Sequence, residues 1–177
     1  RDAQDPVVRT HLPWLPEAVN RRLPERLNRD EVRTPMQWDA SATAGFCPPG
    51  VVPWLPLNAD RATANVADQV GDPDSMLSLY RELFRVRRGH PALHAGRLDL
   101  VPGAPAGTIA WVRSHGAEQV LVAANLTDGP ARVPTAAAVA ELLVTTSHGV
   151  ALDEPDAAGS GSLRLPAHSA AVVQLTT

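Results

Sequence analysis

From Met76 onward the apolar residues fall at helical spacing. Met76, Leu77, Tyr80, Leu83 and Phe84 trace one face, which Arg87 closes. Asp72 stands ahead of the run as an N-cap, Pro73 takes the first helical position, and Asp74 suits the positive helix start. Arg85, Arg87 and Arg88 crowd the other end, where the helix dipole favours cations, and Gly89 and Pro91 stop the run. The pattern predicts a helix from Pro73 to Arg88. Beyond Pro91 the period changes to two. Strands are predicted at Arg97 to Val101, Thr108 to Arg113 and Val120 to Asn125. Further candidates are Ala131 to Val133, Ala140 to Thr145, Ser162 to Leu165 and Ala170 to Leu175. Pro102-Gly103 and His115-Gly116-Ala117 supply turns between the first three. Short strands at intervals of about ten residues, divided by Gly and Pro, predict an antiparallel sandwich. Gly159-Ser160-Gly161, with strand-like residues on both sides, reads as a hairpin tip rather than a linker.

The first seventy residues behave differently. Pro6, Pro13, Pro16 and Pro24 limit any early helix to one from Pro16 to about Asn28, with Val19, Leu23 and Leu27 at four-residue spacing. Residues 31–71 hold no sustained period. Pro35, Pro48, Pro49, Pro53 and Pro56 predict a long ordered loop instead, with Trp38, Phe46 and Trp54 as its packing anchors. The class predicted is α+β, a loop-rich segment and a helix followed by an all-β domain, with the boundary near His94 to Arg97. One helix cannot make a domain, and the sandwich alone looks a poor partner for its apolar face. The chain is therefore expected to belong to a longer protein, as its start at Arg1 in polar, loop-like sequence also indicates.

Composition narrows the function classes. Across 177 residues, 44% are hydrophobic, enough for a packed core. A net charge of −3 gives no reason to expect nucleic acid or an anionic membrane as partner. All 16 basic residues are Arg, and Ala is abundant, which fits coding bias rather than function. Cys47 is the sole cysteine, so neither an internal disulfide nor a Cys-based zinc site can form. No run approaches 18 apolar residues and no signal peptide is visible, so a cytoplasmic location is the expectation. No metal or cofactor is expected. His90 and His94 stand four apart, but Gly89 and Pro91 break the helix between them. Asp153-Glu154-Pro155-Asp156 lacks the glycine and spacing of a calcium loop and reads as an acidic hairpin tip. Phosphate loops and Gly-x-Ser-x-Gly elbows do not occur.

The candidate chemistry lies in Asn28-Arg29-Asp30-Glu31-Val32-Arg33-Thr34-Pro35-Met36-Gln37-Trp38-Asp39. Two Arg, three acids, a Gln and a Trp around one Pro are wrong for a core and unusual for a plain surface loop. They suit a rigid polar loop that grips a sugar. Arg29-Asp30 followed by Arg33-Thr34-Pro35-Met36-Gln37-Trp38-Asp39 resembles the signature of bacterial alpha-glucosidases, including oligo-1,6-glucosidases, within the alpha-amylase family of glycoside hydrolases. Ala44-Gly45-Phe46 follows at that family's spacing. Pro53 to Asn58, Asn65-Val66 with Gln69, the segment Asp72 to Leu93, and Val120 to Leu126 with Asn125 resemble further blocks. The similarity is strong over about residues 28–126 and only architectural beyond. Asn28 departs from the family's usual Gly there, although Asn also tolerates positive φ.

The resemblance implies a (β/α)8 barrel with its active site at the C-terminal face, followed by a β-sandwich called domain C. Residues 1–94 would be the end of the barrel, as the loop after strand eight plus helix eight. Residues 95–177 would be domain C. It implies a retaining glycosidase using an Asp nucleophile, a Glu acid and a second Asp, all upstream of this chain. Asp30, Glu31 and Asp39 are therefore not read as catalytic carboxylates, and the chain alone is expected to be inactive. Arg29 is the residue implied to touch substrate, an alpha-linked gluco-oligosaccharide. Its planar guanidinium can hold a carboxylate and a sugar hydroxyl together, the alternative being a solvated Arg on a charged loop. Arg33, Gln37, Trp38 and Asp39 are read as supporting the loop: Arg33 through backbone carbonyls or Asp39, Gln37 and Asp39 as hydrogen bonders. Trp38 reads as packed beneath the loop, sugar stacking being its other use. A trehalose- or sucrose-type transferase, or a non-catalytic carbohydrate-interaction relative, would carry the same motif.

Overall fold

The computed structural model describes residues 10, 14, 16, 32–135, 137–153 and 161–176. The chain forms two compact units, Arg1–Ser78 and Leu79–Thr177. The predicted helix from Pro16 to about Asn28 lies outside the described residues except at Pro16.

In the second unit the described strands are β1 (Arg97–Leu100), β2 (Thr108–His115), β3 (Glu118–Asn125), β4 (Ala131–Thr135), β5 (Val139–Thr145), β6 (Ala151–Asp153), β7 (Gly161–Leu165) and β8 (Ser169–Leu175). They make a five-stranded sheet in the order β1-β2-β3-β8-β5 and a three-stranded sheet in the order β4-β7-β6. Every pairing is antiparallel. Each strand that the period of two predicts is present. β6 is an addition, since three residues are too few to show a period. The segment 154–160, which holds most of the acidic tip and of Gly159-Ser160-Gly161, lies outside the described residues.

Alternation along the central strands divides the apolar residues between two faces. Leu121 and Ala123 of β3, with Ala171, Val173 and Leu175 of β8, meet Val133 of β4 and Leu163 and Leu165 of β7. This is the interior of the sandwich. Val120 of β3, Val172 of β8 and Val144 of β5 point the other way. Register is fixed by this pattern. Leu121 pairs with Val173 and Val122 with Val172, so a one-residue slip would exchange the two faces.

The second face is covered by helices. α2 spans Met76–Gly89 and α3 spans Pro91–Ala95, α1 being the short helix Val66–Gln69 of the first unit. Leu79, Leu83 and Val86 of α2, with Ala92 and Leu93 of α3, pack on Val120, Val122, Val144 and Val172. This corrects two expectations. The sandwich is a suitable partner for the helix, because its larger sheet is apolar on both faces at its centre, not on one. The buried stripe is also rotated from the predicted one. Leu79, Leu83 and Val86 are inward, whereas Met76, Tyr80 and Phe84 are exposed. Tyr80 and Phe84 instead meet each other as tilted rings, with centroids 6.2 Å apart.

The helix start also differs. α2 begins at Met76 rather than Pro73. Ser75 is its cap, its hydroxyl accepting from the Ser78 N–H at 3.2 Å, while Asp72 closes a local turn by accepting from the Asp74 N–H at 2.9 Å. Asp72 and Ser75 are both competent caps, and the nearby partners decide between them. The chain does not enter β1 directly after Pro91, since α3 intervenes. Gly96 ends it where a Cβ would lie 2.5 Å from the Ala92 carbonyl oxygen and 2.8 Å from that of Ser114, so only glycine fits.

Two polar fixtures hold this unit. Buried Asn125, at the end of β3, donates from Nδ2 to the carbonyls of Gly129 and Pro166, both at 2.8 Å, and its Oδ1 accepts from the Thr127 N–H at 3.1 Å. It thereby ties the β3 exit to the turn before β8. Glu118, at the start of β3, accepts from His90 Nδ1 and from the Ala92 N–H, each at 2.7 Å, and so caps α3 from across the fold. Burial pushes the Glu118 carboxyl upward. The Ala92 amide, the His90 ring and the charge of His115 outweigh it and hold the carboxyl below its ordinary value. No helix among the described residues is long and apolar enough to cross a membrane.

A carboxyl held lower in the folded than in the unfolded chain adds stability above its unfolded value and loses it as the pH falls through the folded one. Glu118→Gln should therefore destabilise the chain at pH 7 by about 1.5–3 kcal/mol, the scale of a hydrogen bond to a charged group. The gap to wild type should close as the pH falls below about 4.3, the ordinary glutamate value. Urea denaturation from pH 7 to pH 3 checks this, and a gap that widens in acid would contradict it.

Candidate functional site

The motif loop lies in the first unit. Arg29 lies outside the described residues, as do Asp30 and Glu31. From Arg33 onward the loop can be followed residue by residue. Arg33 is exposed, Thr34 half-buried and Pro35 buried.

Residues 37–46 form a closed turn. The Trp38 and Asp39 N–H groups both donate to the Ala44 carbonyl, at 2.8 and 3.3 Å. Within the turn, Ala44 N–H donates to the Ser41 carbonyl at 2.9 Å and Phe46 N–H to that of Thr43 at 3.0 Å. Asp39 Oδ1 accepts from the Ser41 N–H at 2.9 Å, and Gly45 N–H donates to the Ser41 hydroxyl at 3.1 Å. The Ser41 hydroxyl, and then its amide, hold the Asp39 carboxyl below the usual carboxylate range, so Asp39 is ionised at ordinary pH. Ala44 and Gly45 are both left-handed, at φ 52° and 62°. At Gly45 a Cβ would lie 2.7 Å from Asp39 Oδ2. Ala44 is wholly buried and bears the strain of its positive φ, which this closed turn imposes.

The turn is bolted to α1. Val66 and Ala67 are the first two residues of that helix, and their N–H groups would otherwise lack intrahelical partners. They donate to the Gln37 and Trp38 carbonyls, each at 2.9 Å. The third N–H, of Asp68, goes to the Asn65 side chain at 3.0 Å, and Asn65 Nδ2 reaches the Arg61 carbonyl at 3.0 Å and Asp68 Oδ2 at 2.7 Å. Gln37 Nε2 donates to the Ala64 carbonyl just ahead of the helix. The segment expected to be a long ordered loop thus contains α1 and a 3-10 turn at Ala59–Ala62, the latter capped by Asn58 at 2.7 Å.

The structure brings Gln37, Trp38 and Asp39 into one hydrogen-bonded ladder, with Gln37 acting through its side chain and both it and Trp38 through their backbone. Asp39 takes its hydrogen bonds from Ser41. The aromatic anchors differ from expectation. Trp38 is 52% exposed, Phe46 49% and Trp54 76%. The expectation rested on size, whereas the order of this loop comes from backbone hydrogen bonds and small buried groups such as Ala44 and Asn65. Asn65 was legible as an N-cap ahead of Val66. The left-handed pair Ala44-Gly45 was legible only at the glycine.

Residues 13–96 match the family described as "Alpha amylase, catalytic domain", and residues 95–172 match a "Domain of unknown function (DUF3459)". Over residues 13–96 the chain is similar to the alpha-amylase family of glycoside hydrolases. An oligo-1,6-glucosidase of Heyndrickxia coagulans is 37% identical over 100 residues, covering 56% of this chain and 18% of that protein. A probable alpha-glucosidase of Rhizobium meliloti (strain 1021) is 36% identical over 105 residues, covering 59% of this chain and 18% of that protein. The trehalulose synthase of Pseudomonas mesoacidophila MX-45 aligns in structure at a TM-score of 0.71 with 35% identity, covering 84% of this chain and 26% of its own. The isomaltulose synthase of Klebsiella sp. LX3 does so at 0.70 with 30% identity, over the same shares. The matched stretch is 18% of the length of these curated glucosidase relatives.

Gly45→Ala should open the turn, because it adds a left-handed Ala, at about 1–2 kcal/mol, to a close contact with Asp39. The expected outcome is exchange of the Trp38 and Asp39 amides roughly 5- to 30-fold faster, followed by NMR hydrogen exchange. Unchanged exchange at both would show that the turn does not need glycine.

Proposed function

We propose that this chain is the C-terminal portion of a retaining, exo-acting alpha-glucosidase that hydrolyses short alpha-linked gluco-oligosaccharides. The observation that carries the reading is the run of linked motifs over residues 28–126, supported by 37% identity to an oligo-1,6-glucosidase over 100 residues. Residues 1–94 are assigned to the end of the catalytic barrel and residues 95–177 to domain C. The family matches over residues 13–96 and 95–172 support that division.

In this reading the chain holds none of the reacting carboxylates. Arg29 is its substrate contact, sharing a hydroxyl of the terminal glucose with a carboxylate supplied from elsewhere in the enzyme. Arg33, Gln37, Trp38 and Asp39 support the loop that carries it. The bonds of Gln37 and Trp38 to Ala64, Val66 and Ala67 suit that role. Half-exposed Trp38 has a ring face available for a sugar as well. The enzyme is assigned to the cytoplasm.

A second reading has a specific observation behind it. The trehalulose and isomaltulose synthases align over 84% of the chain, so transfer of the glucosyl unit to a sugar, rather than to water, is the competing outcome.

The isolated 177-residue chain should release no glucose from maltose, isomaltose or an aryl alpha-glucoside, and measurable turnover would refute the assignment. In a full-length enzyme carrying this segment, Arg29→Ala should lower kcat/KM by about 3 kcal/mol, the scale of leaving a buried charge unpaired. A loss below about twofold would remove Arg29 from the pocket. Incubating that enzyme with isomaltose and with sucrose separates the two readings. Free glucose supports hydrolysis, and trehalulose or isomaltulose supports transfer.

A further inference from the structure

The caps of α1 and α2 form a continuous chain that starts at the motif loop. At one end, Val66 and Ala67 N–H groups are held by the Gln37 and Trp38 carbonyls. At the other, α2 begins with a Leu77 N–H that finds its acceptor outside its own helix, on Gln69 Oε1 at 3.0 Å. Gln69 is the last residue of α1. Its Nε2 points back to the Asn65 carbonyl at 3.4 Å, and its own carbonyl accepts from the Ser75 hydroxyl at 3.0 Å. Ser75 in turn caps Ser78. Gln69 therefore spans the whole of α1, joining the residue that caps its start to the first turn of the next helix. A four-residue helix has no cooperative stability of its own, so its position is set by what grips its two ends.

We propose that Gln69 is a positioning residue for the motif loop. It locks α1 between the start of α2 and Asn65, and α1 in turn holds the Gln37 and Trp38 carbonyls, which sets the backbone of residues 37–39. The link to function rests on the reading of this loop as one wall of a glucosidase site, but the mechanical claim does not. Gln69 touches no candidate substrate group and acts only through α1.

Amide hydrogen exchange on the whole 177-residue chain tests this without substrate. Gln69→Leu removes the acceptor and keeps the bulk, whereas Gln69→Glu keeps an acceptor at the same reach. In Gln69→Leu, exchange at Leu77 should speed up roughly tenfold, and exchange at Val66 and Ala67 should speed up with it. Leu121 and Val173 in the sandwich should stay as in wild type. Gln69→Glu should restore Leu77 to near the wild-type rate and leave Val66 and Ala67 between the Leu variant and wild type, because a carboxylate accepts from Leu77 but cannot donate to the Asn65 carbonyl. Faster exchange at Leu77 alone would reduce Gln69 to a local helix cap and overturn the proposal. So would acceleration of Leu121 and Val173 to the same degree, or a Glu variant in which Leu77 exchanges as fast as in the Leu variant. Because no turnover is measured, these outcomes are independent of the Arg29 result, and either can fail without the other.

Discussion

The β3–β8 pairing is the constraint on which the second unit depends. These two strands sit at the centre of the five-stranded sheet, and both of their faces are buried. Leu121 and Val173 fill the space toward the smaller sheet, and Val120 and Val172 fill the space beneath α2. Fully burying one side chain of this size contributes about 1.5–3 kcal/mol, so the paired faces together outweigh any single polar contact in the unit. Glu118 and Asn125 stand at the two ends of β3. Their role is orientation: Glu118 fixes where α3 begins, and Asn125 fixes how the chain leaves the sheet. Each satisfies backbone groups that burial would otherwise leave without partners.

The first unit is built on a different principle. Its described part has few large buried side chains, and its order comes from a ladder of N–H groups reaching carbonyls in other segments. Helix starts are natural joints for such a ladder, because each has free N–H groups to offer. The motif loop supplies carbonyls to α1, and Gln69 of α1 supplies one side-chain acceptor to α2. Asp39, accepting from the Ser41 amide, closes the same turn from within. A loop built this way is stiff without being greasy, and its large side chains remain exposed.

The two principles explain why the largest apolar side chains in the sequence are not those that hold the structure. Trp38, Phe46 and Trp54 are the largest side chains of the loop, yet all are about half exposed or more. Ala44, Asn65 and Gln69, the small and polar members of the motif blocks, carry the geometry. Likewise Tyr80 and Phe84 dominate the apolar pattern of α2 but face outward, while Leu79, Leu83 and Val86 form the buried stripe.

The sequence by itself determined the longer strands, the presence of α2 and the family resemblance. Period-two alternation gave every strand long enough to show it, and the spacing of linked motifs from Asn28 to Leu126 pointed to the alpha-amylase family. Both are properties of neighbours along the chain. What only the tertiary structure decided involves groups brought together from a distance. It selected Ser75 over Asp72 as the cap of α2, where Leu77 donates to Gln69 Oε1 and the Ser75 hydroxyl lies between the Asp72 and Gln69 carbonyls. It also selected which stripe of α2 is inside, because the outer face of the larger sheet is apolar at its centre. A side chain's partners across 8 or 26 residues leave no periodic trace in the sequence, and so the caps, the Glu118 clasp and the seating of the helix appear only once the chain is folded.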